Sequence, residues 1–87
     1  MIRGPTLKQL QYFLALTETG HFGRAAERCF VSQSAFSNAI RELETNLGAE
    51  LVDRTNRTVT ITATGQEVAV QARLVLRDVE SLIETAR

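Results

Sequence analysis

The stretch "FVSQSAFSNAIRELETNLG", residues 30–48, decides the fold. Phe36, Ala39, Ile40, Leu43 and Leu47 recur at helical spacing and form one apolar face. Gln33, Ser34, Ser37, Asn38 and Arg41 fall on the opposite side, in steps of one, three, one and three. A face that is merely wetted usually carries Lys and Glu. Ser and Asn are weaker helix formers and gain little from water alone. They are short donors and acceptors, suited to base edges and phosphates, and Gln or Asn can pair with adenine through two hydrogen bonds. Ser32 is placed to cap this helix and Gly48 to end it.

On the N-terminal side, Thr6 is a good cap for a first helix, with Leu7, Leu10, Phe13, Leu14 and Thr17 inward and Gly20 as the stop. A short second helix follows. Phe22, Ala25, Ala26 and Cys29 mark its inner face, and Arg24, Glu27 and Arg28 its wet one. Ala25 and Ala26 are small enough for another helix to approach closely. Short helix, tight turn and polar-striped helix make a helix-turn-helix, whose second helix enters the major groove N-terminus first.

On the C-terminal side, "ELVDRTNRTVTIT" alternates Val59 and Ile61 with Thr58, Thr60 and Thr62, which predicts a short β-hairpin with Asn56 in its turn. Arg54, Thr55 and Arg57 lie near the tip of this wing, where the two arginines suit phosphates or a narrow minor groove. A long helix begins at about Thr62 or Thr64, with "TGQE" as a possible capping box. Its residues Val68, Ala72, Val75, Val79, Leu82 and Ala86 step four, three, four, three, four, a heptad seam widened by Leu76 and Ile83. Such a seam predicts a homodimer through this helix.

The chain has 87 residues, ten basic and ten acidic side chains, one cysteine and one proline. That size predicts a single small, mostly α-helical unit that leans on a partner. The zero net charge places the burden of nucleic-acid binding on local charge, in Arg41, Arg54 and Arg57, with Glu42, Glu44 and Glu50 expected to face elsewhere. No apolar run is long enough for a membrane span, "MIRGPTLKQLQYF" shows no signal-peptide pattern, and a lone cysteine fits a reducing cytoplasm. Cys29 reads as core filler, and His21, with no second ligand at metal spacing, as a loop or capping residue. No catalytic triad, phosphate-binding glycine loop or metal cluster assembles, so neither an enzyme nor a cofactor is expected. A helical protein-interaction module without DNA binding is the competing class.

Taken in order, "AAERCFVSQSAFSNAIRELETNLGAELVDRT" followed by "TITATG" resembles the N-terminal DNA-binding domain of LysR-type bacterial transcription regulators, over nearly all of residues 7–86. "TGHFGRAAERC" also resembles that family's peroxide-responsive branch. The resemblance implies a winged helix-turn-helix in residues 1–62 and a linker helix in residues 63–87 that pairs antiparallel in a dimer. It implies DNA contacts from Ser32, Gln33, Ser34, Ser37 and Asn38, and from Arg54 in the wing. It also implies a C-terminal effector-binding domain beyond Arg87. Three positions depart from the family pattern: Ser34 stands where proline is usual, Asn38 where arginine is common, and Gly23 where Ser or Thr caps the second helix.

Overall fold

The structure is a computed structural model and describes residues 4–55 and 58–87. Four helices and a two-stranded sheet follow in the order α1 (Leu7–Thr19), α2 (Phe22–Arg28), α3 (Gln33–Leu47), β1 (Val52–Asp53), β2 (Thr60–Ile61), α4 (Ala63–Ala86). The strands are antiparallel, with Val52 opposite Ile61 and Asp53 opposite Thr60. This is the mostly α, winged helix-turn-helix architecture expected from the sequence.

Each helix begins where a side chain satisfies its free N–H groups. Thr6 Oγ1 accepts from Gln9 N at 3.1 Å and Gln9 Oε1 accepts from Thr6 N at 3.1 Å, a reciprocal capping box. His21 caps α2, its Nδ1 accepting from Arg24 N at 3.1 Å. Gly23 therefore lies inside α2 and is not the cap position that the family pattern suggested. Ser32 Oγ accepts from Ala35 N at 3.1 Å at the start of α3. Thr62 caps α4 by accepting from Gly65 N at 2.9 Å, while its hydroxyl donates to the Glu50 carbonyl at 2.7 Å. The capping box expected at Thr64 does not form: Thr62 already supplies the extended residue and the acceptor, which leaves Thr64 inside the first turn.

The core lies where α1, α2 and α3 converge. Phe13, Leu16, Phe36, Ile40, Leu43 and Leu51 are fully buried. Tyr12 stacks on Phe36 with ring centroids 5.4 Å apart, and Phe22 meets the same ring edge-on at 6.0 Å. Truncating Phe36 to Ala would cost about 3–5 kcal/mol, a large share of what a domain this small can hold. α4 closes the core with Ala69 and Ala72. Ala15 and Leu16 complete the inner face of α1, whereas Leu7 is 45% exposed and Leu47 36%. Leu7 and Leu47 both stand at helix ends, where fewer neighbours cover them. Buried Gln9 joins α1 to the far end of α3 by accepting from Asn46 Nδ2 at 3.4 Å.

Candidate nucleic-acid interface

The apolar face of α3 is fixed by Phe36, Ile40 and Leu43 in the core. That anchors the helix's rotation and turns its other face outward. Ser32, Gln33, Ser34, Asn38 and Arg41 are exposed, and Ser37 is half-buried. Gln33, Ser34, Ser37, Asn38 and Arg41 line one open depression of about 500 Å³. The five stripe residues are thus contiguous in space. Ser32 spends a lone pair on the Ala35 N–H but keeps its hydroxyl proton free to donate. The Gln33 side chain makes no hydrogen bond among the described residues, and its Oε1 lies 3.5 Å from where a β-carbon at Gly23 would sit.

Arg41 joins this stripe to the wing. It also lines a notch with Glu44, Thr45, Gly48, Ala49, Glu50 and Arg54. Arg54 follows β1 directly and sits at the root of the wing, where its Nη1 donates to Glu44 Oε1 at 2.8 Å. Glu44 therefore does not face away from the arginines as expected, and Glu50 lines the notch that Arg41 and Arg54 share. Glu44 is drawn inward because its other oxygen, Oε2, accepts from Leu51 N at 2.8 Å and Val52 N at 3.2 Å. Helical phase offered a signal for this: Glu44 is one turn beyond buried Ile40, on the border of the apolar face.

Asp53 shapes the start of the wing turn. Its Oδ1 accepts from Thr55 N at 2.9 Å and from Thr55 Oγ1 at 2.6 Å. These bonds hold the Asp53 carboxyl below its ordinary range, the hydroxyl contributing most. Thr55, expected among the DNA-contacting residues of the wing, is exposed and donates its hydroxyl proton to Asp53, so it also helps to form the turn. Asn56 and Arg57, the expected turn residue and second wing arginine, lie outside the described residues.

On α4 the seam divides. Ala72 is buried inside its own chain, and Val68 and Leu76 pack partly against the same core. This corrects the expectation that Ala72 faces a partner: α1 takes up that part of the seam. Val75, Leu82 and Ile83 remain 40%, 68% and 46% exposed, Val79 is half-buried, and residues 80–87, Ala86 among them, are all exposed. Among the described residues no helix is long and apolar enough to cross a membrane.

A family model described as the bacterial regulatory helix-turn-helix protein, lysR family, matches residues 7–66. The chain belongs to the LysR family. It is 45% identical over 83 residues to the HTH-type transcriptional regulator EstR of Acinetobacter baylyi, covering 95% of this chain and 28% of that protein. It is 48% identical over 80 residues to the DNA-binding transcriptional dual regulator OxyR of Escherichia coli strain K12, covering 92% of this chain and 26% of that protein. The chain thus spans about a quarter of the length of these curated LysR-family relatives. Among solved structures, Vibrio fischeri DarR in complex with DNA is similar with a TM-score of 0.90 at 38% identity, over 93% of this chain and 28% of that one. The BenM_DBD/catB site 1 DNA complex is similar with a TM-score of 0.87 at 31% identity, over 93% of this chain and 91% of that one.

Proposed function

We propose that this chain binds double-stranded DNA in the bacterial cytoplasm as the DNA-binding segment of a transcription regulator. In this reading α3 enters the major groove, the wing rests on the backbone and minor groove, and α4 holds two copies together. Residues 1–62 make the DNA contacts and residues 63–87 the dimer. The observation that carries the reading is the contiguous exposed stripe of Gln33, Ser34, Ser37, Asn38 and Arg41, back to back with buried Phe36, Ile40 and Leu43. Short amides and hydroxyls on a rotationally fixed helix suit base edges, and Arg41 and Arg54 suit phosphates. The DarR and BenM_DBD structures, both solved with DNA, lend support by likeness of fold.

Support for the dimer comes from exposed Val75, Leu82 and Ile83 on a helix whose last residues, 80–87, are all exposed. A second copy would cover that apolar strip. The test is fluorescence anisotropy of a labelled duplex titrated with the chain at several salt concentrations. Affinity should fall linearly with salt on logarithmic axes, because each neutralised phosphate releases counterions. A chain that binds no duplex at any salt would instead be a protein-interaction module.

A further inference from the structure

We infer that Glu44, an acidic residue beside the DNA-facing surface, is the positioning residue that aims Arg54 at the DNA backbone. The inference rests on the DNA-binding reading and adds to it a residue that the reading does not include.

Glu44 sits on α3, one turn from Ile40 in the core, so its backbone is fixed by buried packing. Its side chain is only 12% exposed. The carboxylate is divided between two tasks. Oε2 receives the N–H groups of Leu51 and Val52, at 2.8 and 3.2 Å, and so clamps the first wing strand to the recognition helix. Oε1 receives Arg54 Nη1 at 2.8 Å. Leu51 and Val52 are themselves buried, so these N–H groups have no ready access to water as a substitute acceptor. One side chain therefore sets both where the wing leaves α3 and how its first arginine points.

A guanidinium carries five N–H donors in a rigid plane. Bonding Nη1 to Glu44 leaves the remaining donors for a phosphate and restricts the directions in which they point. Arg54 is 35% exposed, buttressed on one side and open on the other. Arg41 lines the same notch from α3. A backbone phosphate crossing this notch would meet two arginines, one of them already oriented, and the ordering cost of a long side chain would be partly met before binding.

The sign of the effect separates positioning from plain charge. A carboxylate that only repels DNA, or competes for Arg54, weakens binding, and its removal should tighten it. A carboxylate that positions Arg54 strengthens binding, and its removal should loosen it. Glu44→Gln is the suitable variant: its carbonyl can still accept from Leu51 and Val52, while its amide turns N–H groups toward Arg54 and releases it.

The experiment measures binding of a random-sequence duplex to the wild-type chain, Glu44→Gln, Arg54→Ala and the double variant across a salt series, with thermal melting of each. We expect Glu44→Gln to melt near wild type and to bind roughly fivefold more weakly. The salt slope should fall as in Arg54→Ala, and the double variant should be no weaker than Arg54→Ala alone. Tighter or unchanged binding by Glu44→Gln overturns the inference, and so do additive losses in the double variant. If Glu44→Gln melts far below wild type, Glu44→Asp becomes the comparison: it keeps the charge but draws it back from Arg54, and wild-type affinity there overturns the inference. Failure of the wild-type chain to bind duplex at any salt overturns the DNA-binding reading itself, a separate and recognisable result.

Discussion

Gly65, in the first turn of α4, lies so close to the backbone carbonyl of Leu51 that a β-carbon there would overlap its oxygen. The same β-carbon would stand 2.7 Å from Ile61 Cγ2 and 3.2 Å from the Leu51 carbonyl carbon. Helix propensity alone would favour Gly65→Ala by about 1 kcal/mol. Overlap with backbone should win, because Leu51 is anchored in the core and cannot yield as a flexible side chain would. Gly65→Ala should cost about 1–3 kcal/mol net and lower Tm by roughly 5–20 °C. A variant that melts at or above wild type would show that the wing root moves freely against α4.

Phe30 presents the opposite case, a side chain where glycine would suffice. It occupies the turn between α2 and α3 at φ 59° and is 94% exposed. A bulky residue in the left-handed region is strained by about 1–2 kcal/mol, and this ring recovers nothing by packing. Asparagine tolerates that region without glycine's extra chain entropy. Phe30→Asn should therefore raise Tm by a few degrees in the isolated chain. A drop in Tm would mean that the ring has packing partners in solution.

Cys29 ends α2 and packs partly against the core. Burial pushes its thiol above the ordinary range, with Arg28 pulling the other way by less. The thiolate is the reactive form, so a raised value means less of it at any given neutral pH. Alkylation of the folded chain should be slower than that of the denatured chain at neutral pH, and its rate should inflect at a higher pH than that of the denatured chain. An inflection below that of the denatured chain would reverse the sign of this environment.

Much of this was legible because it depends on local signals. Thr6, Ser32, Gly20 and Gly48 mark helix ends by their own chemistry, and the α3 stripe follows from helical period alone. What the sequence hid depends on tertiary neighbours. Nothing near Glu44 in the chain indicates that Leu51, Val52 and Arg54 would converge on it, seven to ten residues later. His21 and Gly23 both precede Ala25 closely, and only the turn geometry decides which one caps α2. The heptad seam was readable, but periodicity cannot say which partner covers each position. Ala72 went to α1, while Val75 and Leu82 stayed open.

That division sharpens the test of the dimer. Val75 and Leu82 are 40% and 68% exposed, so charging them leaves the core intact. Val75→Asp with Leu82→Asp should keep wild-type helicity but give monomers in sedimentation. Operator affinity should then fall by roughly 10²-fold or more, because the second half-site would no longer be held at high effective concentration. A doubly charged variant that still sediments as a dimer would place the interface elsewhere.

Gln33 offers the most direct probe of base reading. It is the first residue of α3, exposed, and its side chain makes no hydrogen bond among the described residues, so removing its amide should not disturb the fold. Its carboxamide presents one donor and one acceptor, matching adenine N6 and N7 in the major groove. Ser37, one turn on and half-buried, is too short to match both and suits a phosphate or a thymine methyl. Gln33→Ala should cost about 1–3 kcal/mol on a site selected from a random duplex library and almost nothing on unselected duplex. Both affinities are to be read at one salt concentration, with melting to check that Tm is unchanged. Equal losses on the two duplexes would make Gln33 a backbone contact, and Asn38, exposed one turn further along the same stripe, would then be the residue to test as the base reader.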